Sequence, residues 1–189
     1  MKQTLLIAML LLGGFTKAQS ILVNETDKEN GTHLILTKGF AGSEVTIDDS
    51  VVRRGTVFFS AGYQEVKVNE TKTPLYFIEL NIVHNDLRIG CLKQETSKIV
   101  LELEDGSKME CMQISPTECD PVGFTGDFVL MPKGGKIAEM TANLKKLESV
   151  AIKKITVFTT ETEVVYIIKD KCKPVLEKHF SLLEQTLSK

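Results

Sequence analysis

The sequence predicts an α+β fold, an antiparallel β-sheet with two amphipathic helices packed on one face. Strand signals dominate the first two-thirds of the chain, and the longest of them alternates apolar and polar residues. Two late segments, near Ile137 and Pro174, repeat apolar residues at helical spacing. A strand pair lies between them, so strands come first and helices interleave with a hairpin afterwards.

The chain opens with Lys2, an apolar run from Leu5 to Phe15, and small residues at Thr16 and Ala18. This pattern predicts a secretory signal peptide cleaved after Ala18. The run falls short of the ~20 apolar residues a spanning helix needs. No cysteine precedes Cys91, which argues against a lipid-anchored N-terminus. The expected layout is a signal peptide over 1–18 and a single α+β domain over 19–189. Within it, 19–72 is a strand-rich N-terminal portion and 73–189 carries the sheet and both helices. No later segment has the length and apolarity to cross a bilayer, so the mature chain is expected to be secreted or periplasmic.

Asn30-Gly31 marks a turn before the first β-rich run, His33 to Thr37. Short runs at Glu44 to Ile47 and Thr56 to Phe59 follow. Leu75 to His84 is a longer strand, with Tyr76, Ile78, Leu80 and Ile82 on one face and Glu79 and Asn81 on the other. Ser97 to Ile114 is a hairpin turning at Glu104-Asp105-Gly106. A two-residue Asp-Gly turn sets Leu101 opposite Glu110. A three-residue loop with a left-handed Gly106 sets Leu101 opposite Met109 and Ile99 opposite Cys111. The second register keeps apolar residues on one face and is preferred, so Cys111 is expected to point inward.

Phe128 to Met131 is a further short strand. After Gly134-Gly135, a helix carries Ile137, Met140, Thr141, Leu144 and Leu147 at helical spacing. Strands at Ala151 to Thr159 and Glu163 to Lys169 flank a turn at Thr160-Glu161-Thr162. The closing helix starts near Pro174, where a missing N–H costs little. Its stripe is Leu176, Phe180, Leu183 and Leu187.

Removing 1–18, which holds Lys2 and Lys17 but no acidic residue, leaves 171 residues with 21 basic and 25 acidic side chains, net −4. The charges are interspersed, so nucleic acid and anionic membranes are poor partners. There is no Trp and only three Tyr, so stacking surfaces for sugars or single strands are also disfavoured.

Four cysteines, Cys91, Cys111, Cys119 and Cys172, in an exported chain suggest disulfides, with three full pairings open. Their spacing is not that of a zinc site, and none of the three histidines, His33, His84 and His179, has metal-pair spacing. No cofactor fingerprint and no catalytic set is recognised, so no cofactor and no metal are expected. His84 beside Asp86 admits a general-base reading, but a strand-end histidine tucked against the core explains it without one. His179 is expected at a surface or boundary position. Gly123-Phe124-Thr125-Gly126-Asp127 lacks the Lys-Ser/Thr pair of a phosphate loop and is read as turn chemistry. Cys172, between Lys171 and Lys173 at a helix start, has the setting of a reactive thiolate. The secretory context favours a half-cystine tying the closing helix to the sheet. Sequons stand at Asn24, Asn30 and Asn69, and Asp49-Ser50-Val51 matches a short O-glycan acceptor pattern at Ser50.

From Leu75 onward, the strand Tyr76-Phe77-Ile78-Glu79-Leu80 is followed by the Lys98-to-Ser107 segment. After these come the Leu144-to-Leu147 helix end, the Ile152-to-Val157 strand and the closing helix. This order resembles small uncharacterised secreted or periplasmic bacterial α+β proteins, a domain of unknown function. The resemblance implies the fold and no chemistry. The expected function is an exported, non-enzymatic protein acting by binding or envelope structure, with a protein partner in the cell envelope. Polar faces on several strands, such as Glu79, Asn81, Glu102 and Glu104, suit a solvated sheet surface or a docking face. The alternative is a small extracytoplasmic hydrolase or thiol-dependent enzyme using Cys172 and His84.

Overall fold

A computed structural model of the protein describes residues 20–38, 45–47, 55–68, 70–84 and 86–189. The signal peptide expected at 1–18, Ser50 and Asn69 lie outside the described residues, as does the Leu176 side chain.

Ten strands form one antiparallel sheet among these residues. They are β1 (Ile21–Thr26), β2 (His33–Thr37), β3 (Val45–Ile47), β4 (Gly55–Val68), β5 (Thr71–His84), β6 (Lys98–Leu103), β7 (Lys108–Gln113), β8 (Gly123–Val129), β9 (Ile152–Phe158) and β10 (Glu163–Ile168). Their spatial order is β1-β2-β4-β5-β8-β7-β6-β9-β10-β3. Two helices, α1 (Ile137–Leu147) and α2 (Lys173–Leu187), complete the fold. The α+β expectation therefore holds, with strands dominant.

Three expected strands, β4, β5 and β8, are longer than their sequence signals. In place of a short run at Thr56 to Phe59, β4 spans fourteen residues and pairs along its whole length with β5, from Gly55↔His84 to Val68↔Thr71. The turn passes through Glu70 at φ 67°. Gly62 disguises the strand, and the register explains its presence. Gly62 lies opposite Phe77, whose ring atoms come within 2.1–2.6 Å of where a Cβ would sit. Pro74 sits in β5 before its pairing with β8 begins at Phe77, where a missing N–H is tolerated. Gly123 to Asp127, expected as a turn, is instead the first part of β8. Its alternation places Phe124, Gly126 and Phe128 inward. The strand β1 had no counterpart in the sequence reading.

Register carries one buried face across the sheet. Partners opposite each other in antiparallel strands share a face. Phe59 opposes Leu80, Leu80 opposes Gly126, Ile99 opposes both Cys111 and Val157, and Ile155 opposes Tyr166. All these residues except Gly126 belong to one core cluster, each no more than 2% exposed. The β6–β7 hairpin has the three-residue Glu104-Asp105-Gly106 loop, with Gly106 at φ 82°, Leu101 opposite Met109 and Cys111 buried. This is the register that kept the apolar residues together.

Met140, Leu144 and Leu147 are the buried stripe of α1, which packs on β5. The other helix, α2, touches β2, β4 and β9. Strands β4 and β9 lie five places apart in the sheet order, so α2 reaches across much of the sheet.

Candidate functional site

The sheet opens where β7 leaves β8. Their pairing is confined to Met112↔Val129 and Gln113↔Phe128. Beyond it the chain peels away, and buried Gln113 donates from Nε2 to the carbonyls of Ser115 and Pro116. Much of the exposed edge of β8 is then satisfied by this departing segment. Ser115 Oγ accepts from Asp127 N at 2.9 Å, Glu118 Oε2 accepts from Thr125 N at 2.9 Å, and Ile114 N donates to Asp127 O at 2.8 Å. Side chains replace a strand, which leaves relief on the surface.

A disulfide holds that segment in place. Cys91 and Cys119 are bonded, with Cα atoms 4.4 Å apart and a sequence separation of 28. Beside it, Leu92 and Glu118 exchange both backbone hydrogen bonds at 2.9 Å. Thr160 Oγ1 accepts from Cys91 N, and Thr160 N donates to Cys91 O. The staple is thus anchored to the β9–β10 turn.

An open groove of about 450 Å³ results, lined by Asn81 and Val83 of β5, Phe124 and Thr125 of β8, and the 118–122 loop. Asp120 Oδ1 accepts from Val122 N at 2.7 Å, turning the loop, and Val122 O accepts from His84 N at 2.6 Å. Val122 is 64% and Val83 44% exposed. Glu118 and Asp120 supply carboxylates, and neither has an ion-pair partner among the described residues. The four polar residues singled out in the sequence fall in two places. Asn81 lines the groove and Glu79 lies two residues along the same face, whereas Glu102 and Glu104 belong to the β6–β7 hairpin. There Glu102 pairs with Lys153 and Lys154, and Glu104 with Lys173.

A second feature adjoins the groove. Glu79 lies opposite Asp127 in the register, one pair beyond Asn81↔Thr125 on the same face. Asp127 Oδ1 is buried with no hydrogen-bond partner. Burial, then Glu79 and Glu118, push the Asp127 carboxyl up to about 6. Burial also raises Glu79, against the pull of its hydrogen bond with Ser60. Alternation marked Glu79 as polar-facing, but no signal paired it with Asp127, because Asp127 was assigned to a turn.

His84 and Cys172, the two residues of the enzyme alternative, are both buried. His84 is buried, and its Nδ1 accepts from the Asp86 backbone N–H at 3.2 Å. The Asp86 carboxylate faces Arg88 instead, with Nε at 2.8 Å, and Arg88 holds it down at about 2. His84 packs edge-on to Phe124 at 5.0 Å, which is the core-packing explanation. Cys172 is not a half-cystine. It and Cys111 are thiols, both fully buried. Cys111 faces Ile99 across the inner face, and Cys172 sits beneath the start of α2. Its neighbour Lys173 turns to Glu104 and Asp170. His179 is not at the surface. It is 3% exposed, with Nδ1 2.8 Å from Thr37 Oγ1, because α2 presents it to the sheet. His33 bonds Asn24 Oδ1 at 2.7 Å through Nε2, tying the β1–β2 hairpin. That contact engages the first sequon side chain, while Asn30 caps its own turn through Thr32. Among the described residues no group of three His, Cys, Asp or Glu is arranged to hold a metal ion.

The disulfide is compatible with an oxidising, extracytoplasmic location. No described helix is long and apolar enough to cross a membrane. Comparison with family models, curated proteins and solved structures returns no match.

Proposed function

We propose that this is an exported, non-enzymatic protein that acts by binding, with the groove over β5 and β8 as its contact site. The observation that carries this reading is the exposure of Val83 and Val122 on a frame stapled by Cys91–Cys119. Large aliphatic side chains held open to water by a fixed backbone are a feature of contact surfaces. The N-terminal pattern over 1–18 supports export, and the resemblance to small secreted α+β proteins agrees with it. The same reading has α1 and α2 closing one face of the sheet. Met140 of α1 accepts from Tyr76 N through its sulfur at 3.3 Å, and Phe180 of α2 lines one small cavity with Phe59 and Ala61. The opposite face of β5 and β8 is then left for a partner in the cell envelope.

The test is site-specific photo-crosslinking in cells. A crosslinker replaces Val122 in one variant and Ile137, an exposed residue of α1, in another. A discrete adduct from position 122 and none from position 137 supports the reading. Equal labelling at both sites, or none at 122, overturns it.

A further inference from the structure

Resting on the groove as contact site, we propose that its partner is a polypeptide segment that carries both basic and aliphatic side chains. Four observations select this chemistry. The groove carries the carboxylates of Glu118 and Asp120, both without an ion-pair partner among the described residues. The pair Glu79 and Asp127 continues the same acidic character along β5 and β8. A positive ligand therefore meets an uncompensated field here, and an acidic one is repelled. Val83 and Val122 add exposed apolar surface beside the charge, which a small hydrated amine cannot cover. Finally, Asn81 and Thr125 lie opposite each other on the groove floor. Their side chains supply the amide and hydroxyl groups that hydrogen-bond a peptide backbone. The groove's size falls in the ~300–1,000 Å³ range of sites that take a small molecule or a few side chains. Strands β4 and β8 flank β5 where it lines the groove, so the segment lies across the sheet surface and does not add as a further strand.

Two of the acidic side chains also build the loop, and this dictates the variants. Asp120 Oδ1 and Glu118 Oε2 accept backbone N–H groups from Val122 and Thr125. Glu118→Gln and Asp120→Asn keep an acceptor oxygen in place while removing the charge, so the loop is retained and the field is not.

The experiment titrates the full mature chain, disulfide intact, with fluorescent Lys-Val-Lys-Val and Glu-Val-Glu-Val peptides, and with putrescine as competitor. The expected result is binding of the basic peptide alone, weakening as salt rises from about 0.05 to about 0.5 M. Putrescine should compete poorly. The E118Q/D120N double variant should weaken binding about fivefold to tenfold, as two partly exposed ion pairs imply. Val122→Ser should weaken it about threefold, by loss of apolar area. Equal binding of both peptides, no binding of either, full competition by putrescine, or unchanged affinity in E118Q/D120N each overturns the proposal. Crosslinking at Val122 separates the two levels. If an adduct forms there without any charge preference, the contact site stands and the basic partner falls. If none forms, both fall.

Discussion

Two titratable side chains are drawn out of water on either side of this sheet, and they are treated differently. His179 lies against the inner face, where Thr37 Oγ1 accepts the Ala61 N–H at 2.8 Å and meets His179 Nδ1 at 2.8 Å. The hydroxyl proton left to Thr37 suits a neutral imidazole, and burial pushes His179 down to about 4. Asp127 lies on the outer face with one carboxylate oxygen partnerless, an acidic neighbour opposite, and its carboxyl raised to about 6. A buried polar group that is hydrogen-bonded costs little, and one that is not costs the desolvation it cannot recover. The inner cluster therefore reads as architecture. The outer pair reads as a stability cost carried next to the groove.

Thr37 is the hub of the inner cluster. Thr37→Val keeps the shape but strands the Ala61 amide and the His179 nitrogen, and about 2–4 kcal/mol of stability should be lost in urea unfolding. A loss below about 1 kcal/mol would show that the inner cluster is not holding α2 to the sheet.

Asp127→Asn should act in the opposite direction. The folded pKa of Asp127 is raised, so its contribution is fully present below the unfolded value near 4 and is lost as pH rises through about 6. Removing the charge should therefore stabilise the protein by about 1–3 kcal/mol at neutral pH and by little at pH ~4. Destabilisation at neutral pH would mean that the carboxylate has a favourable role there.

A pH series sharpens the contrast. His179 has a depressed folded pKa, so its contribution is present above the unfolded value of 6.5 and falls away as pH drops towards about 4. Between those limits His179 loses stability on acidification while Asp127 gains it. The parent protein should show a shallow profile, within about 1 kcal/mol from pH ~4.5 to pH ~7. In the Asp127→Asn background the His179 slope stands alone, and melting temperature should fall clearly on acidification. An unchanged profile in that variant would falsify the opposing assignment.

The smallest expected effect is at Ser60. Its hydrogen bond favours the charged form of Glu79. Ser60→Ala should cost about 0.5–1 kcal/mol at neutral pH and vanish once Glu79 is protonated in acid. An equal loss at both pH values would assign the effect to packing.

Local chemistry made much of the fold legible. The Glu104-Asp105-Gly106 loop and its register followed from face matching, because a one-residue slip exposes every apolar side chain of the hairpin. The α1 stripe followed from its period. The full extent of β4 was hidden, because Gly62 looks like a breaker until Phe77 is known to lie over it. Part of the site was visible too, since alternation put Glu79 and Asn81 on a polar face. Val122, Glu118 and Asp120 carried no signal, because they sit in a loop whose position depends on a disulfide and a departing strand.

By itself, then, the sequence determined the fold class, the inward face of β5 to β7, the presence of cysteines suited to an oxidising compartment, and the absence of recognised catalytic motifs. Those properties depend on neighbours within a few residues, or on composition. Only the tertiary structure decided that Cys91 bonds Cys119 while Cys111 and Cys172 stay thiols. It also placed His179 on Thr37, 142 residues away, and Asp127 opposite Glu79. These pairings come from strand order and from the packing of α2 on the sheet, which join segments whose separation along the chain carries no local signal.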